Sequence, residues 1–386
     1  MQVYLDHHAT TPLDPRVLEA MLPYFKEEFG NPSSASHPWG WRAREAVEAA
    51  RAHVAKLIGA TAREVIFTSG ATEANNLAIF GSVARAGRKV HIISQAIEHH
   101  AILEPLHELE KAGHRVTLLT PRRDGFLDPE RVRDAISDDT FLVSVMAAQN
   151  EVGTIEPIAE IGRICRERGI LFHTDAAQAV GKVPIDVEAM NVDLLSISAH
   201  KLYGPKGTGA LYVQRRQRAK PISIAPLIYG GGQENGLRPG TLNVPGIVGL
   251  GEACRISREE LPEEIERIAR LRDRLWQGIR AACPDAVLHG PDDFAARLPG
   301  NLSIGFPGID GTALLISLRD IAASSGSACT AGHSEPSYVL KALNVPRDLA
   351  AATLRLCVGR FQTEEEVDFA AARITGVVEA LSLKAR

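Results

Sequence analysis

The stretch ILFHTDAAQAVGKVPIDVEAMNVDLLSISAHKLYGPKGTGALYV, residues 170–213, decides the fold. ILFHTD and DLLSISA are short, apolar, β-rich runs that end on polar residues: Asp175 closes the first, and His200 and Lys201 follow the second. TGALYV comes after DLLSISA with no helix between them, which predicts an antiparallel strand joined to an otherwise parallel sheet. Upstream the runs alternate with helices: helix 41–58, EVIFT, helix 71–86, VHIIS, helix 100–112, RVTLLT, helix 128–137, FLVSVMA, helix 157–168. This alternation predicts an α/β chain built on a mainly parallel sheet with helices on both faces. Downstream, the Gly- and Pro-rich YGGGQENGLRPGTLNVPG precedes a long charged helical stretch over 245–282. Strands NLSIGF, DIAAS and LRLCV with helices near 310–318, 336–343 and 363–382 then read as a smaller α+β domain. The expected division is an N-terminal segment 1–20 packing near the small domain, a large domain 21–255 and a small domain 256–386.

The chain has 386 residues, 45% hydrophobic and 23% charged, with a formal net charge of −4, so it can bury a sizeable core and carries no diffuse basic field for nucleic acid or an anionic membrane. The start, MQVYLDHHATTPLD, shows no leader pattern, and nowhere do eighteen apolar residues run together, so a cytoplasmic location is expected. Five cysteines, Cys165, Cys254, Cys283, Cys329 and Cys357, stand at least 28 residues apart, which excludes CxxC redox pairs and zinc knuckles. No HExxH spacing, Walker sequence or dinucleotide fingerprint is present. QRRQRAKP, residues 214–221, reads most simply as a solvated turn, with contact to an acidic partner as the other reading.

In an open α/β sheet the residues just past the carboxyl ends of the strands build the site. EVIFT runs into SGATEANN, whose helix start suits a phosphate; a plain capping box on Thr72 is the competing reading. VHIIS leads to His99 and His100. Asp175, with Gln178 one turn on, shares a rim with His200 and Lys201. An acid and a lysine there could be an ion pair only. A phosphate cradle, a lysine able to form a Schiff base and an acid to hold a pyridinium proton are, together, the groups that pyridoxal phosphate requires.

With YLDHHATTPLD, GNPSS, TSGATEANNLAI, EHHA, NEVGT, HTDAAQAVGKVPID, SAHKLYGPKGTGALYV, RPGTLNVP, SSGSACTAGHSEPSYVL and LRLCVGRFQTEEEVD in this order, the sequence resembles the cysteine desulfurases of the fold-type I, class V aminotransferase-like group. The long segment around Cys329 resembles the subgroup that supplies iron–sulfur cluster scaffolds. The resemblance implies a fold-type I pyridoxal phosphate-dependent transferase with a seven-stranded-type sheet, and the cofactor covalently on Lys201. It also implies Asp175 at the pyridinium nitrogen, Gln178 at the ring hydroxyl and His99 stacked over the ring as a proton shuttle. Thr72 with the Ala71 amide, Ser198 and His200 would hold the phosphate, and Thr241 would reach the phosphate in a partner subunit, which implies a homodimer. Asn150 would lie beside cofactor and substrate, and Arg355 would clamp the substrate carboxylate, a task that suits a guanidinium fork.

The resemblance further implies that L-cysteine displaces Lys201, that the freed amine removes the Cα proton, and that Cys329 attacks the substrate sulfur, leaving a Cys329 persulfide and L-alanine. A Gly/Ser/Ala setting suits a carrier that must meet an acceptor on another protein, for iron–sulfur assembly or tRNA thiolation. No metal is expected on this chain alone; Cys329 is a transient iron–sulfur ligand only in company with a scaffold protein. His7 and His8 stand where relatives commonly carry asparagine or other polar residues, and Cys357, beside the expected site, stands open to oxidation or sulfur capture. Two other readings are a selenocysteine lyase or similar enzyme on the same scaffold, and a cofactor-free interaction protein.

Overall fold

The computed structural model describes residues 1–216, 221–325 and 337–385; Cys329 and part of the basic run 214–221 lie outside these residues. The chain opens with β1 (Val3–Tyr4), α1 (Pro15–Met21) and α2 (Pro23–Lys26). Asp14 caps α1, its carboxylate accepting from the Arg16 amide at 3.0 Å, and Pro15 occupies the first helical position, where no N–H is needed. The alternation follows: α3 (Pro38–Leu57), β2 (Val65–Thr68), α4 (Ala71–Ala86), β3 (His91–Gln95), α5 (His100–Lys111), β4 (Arg115–Leu119), α6 (Pro129–Ala135), β5 (Thr140–Ser144), α7 (Ile158–Glu167), β6 (Leu171–Asp175), β7 (Leu194–Ser198) and β8 (Gly209–Val213). The C-terminal part contains α8 (Val244–Ala282), β9 (Val287–Leu288), β10 (Asn301–Gly305), α9 (Gly311–Ser317), β11 (Ile321–Ala322), α10 (Tyr338–Ala342), α11 (Arg347–Ala351), β12 (Thr353–Cys357) and α12 (Glu364–Ala385).

Seven strands form one sheet in the order β2-β8-β7-β6-β5-β3-β4. β8 runs antiparallel to both neighbours and every other pair is parallel, as the helix-free step from DLLSISA to TGALYV predicts. Residues in β2, β3, β7 and β8 are buried without alternation, the pattern of a sheet covered on both faces. Phe67, Ile93, Val143, Phe172 and Ile197 pack against α3, α7 and α8 on one face, and Ile92 and Leu142 pack with Ile102 and Leu106 of α5 on the other. A smaller antiparallel sheet, β12-β10-β9, has its own core in which Leu302, Ile304, Leu354 and Leu356 meet Val367 and Ile374 of α12.

α8 belongs to both cores. Ile247, Leu250 and Ala253 pack with the large sheet, and Leu271, Leu275 and Ile279 with the small one, so residue 255 falls within one continuous helix. The N-terminal segment adds to the small side: β1 pairs in parallel with β11, and Leu5 is buried in the second core.

One buried ion network joins these parts. The Arg360 guanidinium donates to Glu264 of α8 through Nε and Nη2, both at 2.9 Å, and to Asp14 through Nη1 at 2.9 Å. It lies 4.2 Å from the Tyr203 ring centroid, and the Tyr203 hydroxyl accepts from the Arg360 amide at 2.5 Å. A charge this deep is tolerable only because each of its edges has a partner. Arg360→Met leaves Glu264 buried without its cation, while Asp14 keeps Arg16, and is expected to cost about 3–5 kcal/mol. A lowered urea midpoint checks this; an unchanged midpoint contradicts it.

Candidate active site

A cavity of about 590 Å³ opens at the carboxyl ends of β2, β6 and β7. Ala71, Thr72, His99, Asn150, Asp175, Gln178, Ser198, His200, Lys201 and Arg355 all line it, together with His8, Thr10, Gly70, Met146 and Lys206. Thr241 lies exposed on the loop before α8 and is not part of this lining.

The cavity starts from register. β6 and β7 run parallel with Asp175 opposite Ser196, so Asp175 and the continuation Ser198 to Lys201 emerge at the same edge. Asp175 is 5% exposed, and its carboxylate accepts from Asn75 Nδ2 at 2.7 Å and from the Ala177 amide at 3.0 Å. Lys201 ends a short 3-10 turn, and its Nζ donates to the carbonyls of His8 at 2.5 Å and Ala9 at 2.8 Å. The segment His8–Thr10 therefore forms a wall opposite the strand ends. Thr10 Oγ1 lies 3.0 Å from His200 Nδ1, and burial brings the pKa of His200 down to about 4, so this ring is neutral.

α4 begins at the cavity with no side chain capping it, so its first amides are available to an anion. Gly70 precedes it at φ 150°, which an L side chain rarely adopts, and Gly209 of β8 is packed so closely that a Cβ would lie 2.6 Å from the Gly70 Cα. Ser198 Oγ lies on the same side, 3.9 Å from where a Cβ on Gly70 would be. The capping-box reading of Thr72 gives way: Glu73 does the local bonding, accepting from the Ser69 amide at 2.8 Å and pairing with Arg238 at 3.0 Å.

His99 caps α5, its Nδ1 accepting from the Ala101 amide at 3.1 Å. Burial lowers its pKa, so the ring is neutral and carries its proton on Nε2. Arg355, in the middle of β12, is 2% exposed; its Nη2 donates to Asp6 at 2.8 Å, and its Nε is buried without a partner. Asp6 also accepts from Ser324 Oγ at 2.7 Å, while the Ser324 backbone exchanges hydrogen bonds with Arg355 at 2.7 and 3.3 Å. Ser337, where the described chain resumes, donates to Glu151 at 2.5 Å, and the Tyr338 hydroxyl donates to the Glu98 carbonyl at 2.5 Å. Both ends of the segment that contains Cys329 are thus anchored beside cavity residues Arg355, Asn150 and His99.

Cys357 does not face the cavity. It is 4% exposed, borders a small internal chamber with Lys182 and His7, and burial pushes its thiol up to about 12, so it is unsuited to the sulfur capture that its place in the sequence suggests. Sequence reasoning passed over Asp6, Asn75 and Glu151, although all three lie in the quoted motifs, because each acts by holding another residue.

A profile of the family described as aminotransferase class-V matches residues 3–369. A cysteine desulfurase IscS from Anaeromyxobacter dehalogenans (strain 2CP-C) is 54% identical over 369 residues, covering 95% of this chain and 90% of that protein. A solved structure described as a NifS-like protein superposes with a TM-score of 0.90 at 39% identity, covering 99% of this chain and 100% of the other. Another, described as SspA in complex with cysteine, superposes with a TM-score of 0.81 at 39% identity, covering 94% and 100%.

The Glu151 anchor predicts a pH effect. Burial raises this carboxyl from 4.5 to about 7 against the lowering influence of the Ser337 hydrogen bond. A carboxyl raised on folding contributes stability that is whole below its unfolded value and is lost as pH rises through the folded one. Glu151→Gln can still accept from Ser337, so between about pH 5 and pH 8 its urea midpoint should fall less than that of the parent protein. Parallel pH profiles contradict the assignment.

Proposed function

This chain belongs to the aminotransferase class-V family, among relatives named cysteine desulfurase, and we propose that it removes sulfur from L-cysteine with pyridoxal phosphate held covalently by Lys201. The observation that carries this reading is the convergence of an uncapped helix start, a lysine and a buried carboxylate on one cavity of about 590 Å³. That space is ample for a small cofactor with its substrate. The SspA structure described as a complex with cysteine supports the choice of substrate.

The bound cofactor supplies an electron sink conjugated to the substrate Cα. Asp175, fixed by Asn75 and the Ala177 amide, keeps a proton on the pyridine nitrogen. The first amides of α4 at Ala71 and Thr72, the hydroxyls of Thr72 and Ser198, and neutral His200 hold the phosphate. Gln178 would donate through Nε2 to the ring hydroxyl oxygen, and His99, neutral with its proton on Nε2, would stand beside the ring as a proton carrier. Arg355, steadied by Asp6, binds the substrate carboxylate, and Asn150 borders both cofactor and substrate. Lys201 stands at the rim of the cavity, where its free amine would take the Cα proton.

Cys329 is the sulfur acceptor. Its thiolate attacks the substrate sulfur: an S–S bond forms, the C–S bond breaks, and the electron pair stays with the carbon fragment, which takes up one proton at Cβ, regains one at Cα and leaves as L-alanine. Cys329 follows Ser324, the residue paired with Arg355, by five positions, a reach of at most about 18 Å. The persulfide then passes to an acceptor on another protein, such as an iron–sulfur scaffold. A cytoplasmic homodimer belongs to the same reading, in which Thr241, exposed and outside this chain's cavity, would serve a second subunit's phosphate.

The test is incubation with L-cysteine without reductant, followed by mass spectrometry of the Cys329 peptide and an alanine assay. One added sulfur with matching alanine is expected, and Cys329→Ala should lower turnover by roughly 10³-fold or more while leaving the visible cofactor band intact. Alanine formed without sulfur on Cys329 contradicts the acceptor assignment; no alanine contradicts cysteine as the substrate.

A further inference from the structure

We propose that Lys182 is a positioning residue of this cavity: it fixes the Gln178 amide so that the wall presents an N–H donor, and through the same oxygen it fixes the tautomer of His8. The inference rests on the reading of the cavity as a pyridoxal phosphate site, and it concerns Lys182 and His8, to which that reading gives no part.

Lys182 Nζ lies 2.7 Å from Gln178 Oε1. An amide can be placed either way round in a pocket of its size, but an ammonium only donates, so the atom facing Lys182 is the oxygen. His8 Nδ1 meets the same oxygen at 3.0 Å and must therefore be the protonated ring nitrogen, leaving His8 Nε2 as the lone-pair atom. That Nε2 is indeed buried without a partner, and burial holds the His8 ring well below its ordinary pKa, so it is neutral. Gln178 Nε2 gives one hydrogen to the His8 carbonyl at 2.9 Å, which leaves its second hydrogen for the cavity that Gln178 lines. The His8 carbonyl also accepts from Lys201 Nζ, so the chain of contacts runs Lys182, Gln178, His8, Lys201.

Lys182 can point inward because of its neighbour. Gly181 has φ 75°, and a Cβ there would lie 3.1 Å from both Leu202 Cβ and Ser257 Oγ. Lys182 borders the small chamber behind the cavity with His7, His8, Tyr203, Glu264 and Cys357, and Arg355 adds a further positive charge nearby. Desolvation brings its pKa down to about 8, so it is cationic through neutral pH. A cation behind the amide oxygen polarises the amide and strengthens the outward N–H as a donor. Beside the ring hydroxyl oxygen of the cofactor, that donor stabilises the ionised oxygen and makes the Schiff-base nitrogen less basic. The ionisable groups on the same cavity wall are His8, Glu73, His99, Asp175, His200, Lys201, Lys206 and Arg355, with Gln178 the neutral donor among them.

The experiment uses the purified holoenzyme and follows its visible cofactor band against pH, together with the pyridoxal phosphate dissociation constant of the stripped protein. Lys182→Met is expected to raise the titration midpoint by about one pH unit and to weaken cofactor binding about tenfold, and Lys182→Arg to restore much of both. Folded Lys182→Met with the parent midpoint and affinity overturns the inference. If Lys182→Met does not fold, Gln178→Glu takes its place: it would pair with Lys182, offers no hydrogen to the cavity and should raise the midpoint likewise, and an unchanged midpoint overturns the inference. A parent protein with no visible band even after added cofactor overturns the pyridoxal phosphate reading itself, whereas a band indifferent to Lys182→Met overturns only the role of Lys182, and one indifferent to Gln178→Glu overturns the Gln178 contact as well.

Discussion

The parallel register of β6 and β7 is the constraint on which the rest of this molecule depends. With Asp175 opposite Ser196, two neighbouring strands end at one rim, and the short turn after β7 brings Lys201 to the same opening as the Asp175 carboxylate. A slip of one residue would turn both sets of side chains to the other face. Nothing local could repair that, since β7 and its neighbour β8 are buried throughout and have no solvent face to trade with. The reversed strand β8 adds the second requirement: Gly209 lets it pass within contact of Gly70, so that the start of α4 is held against the strand ends.

The wall opposite these strand ends comes from the N-terminal segment and the small sheet. Asp6 meets Arg355, His8 and Ala9 meet Lys201, and Asp14 meets Arg360, so residues 6–14 touch two cavity residues and the ion network in turn. Arg360 ties this segment to α8, the helix that among the described residues is shared by both cores. The cavity is therefore a seam between two packed bodies, a common location for sites that must enclose a small polar substrate.

Much of this was legible in the sequence because it is periodic or local. All seven strands of the large sheet follow from apolar runs, the reversal of β8 from a missing helix, and the rim residues from their places just after strands. β1, α1, α2, β9 and α11 span two to seven residues, too short for a period to show. Long-range partners were not legible either. The Arg355–Asp6 pair joins positions 349 apart, and Gln178 meets His8 across 170, so no spacing rule could link them. The capping reading of Thr72 went to Glu73 because the carboxylate reaches the Ser69 amide, and Cys357 proved shielded because it ends β12 against the internal chamber bordered by His7 and Lys182, a long-range contact.

The central claim is that Lys201, rather than its neighbours Lys182 and Lys206, carries the cofactor. Borohydride reduction of the purified holoenzyme, followed by digestion and mass spectrometry, tests it directly. The account predicts a single phosphopyridoxyl group on the peptide containing Lys201. The modification on Lys182 or Lys206, or its absence from a protein that retains its visible band, would contradict it.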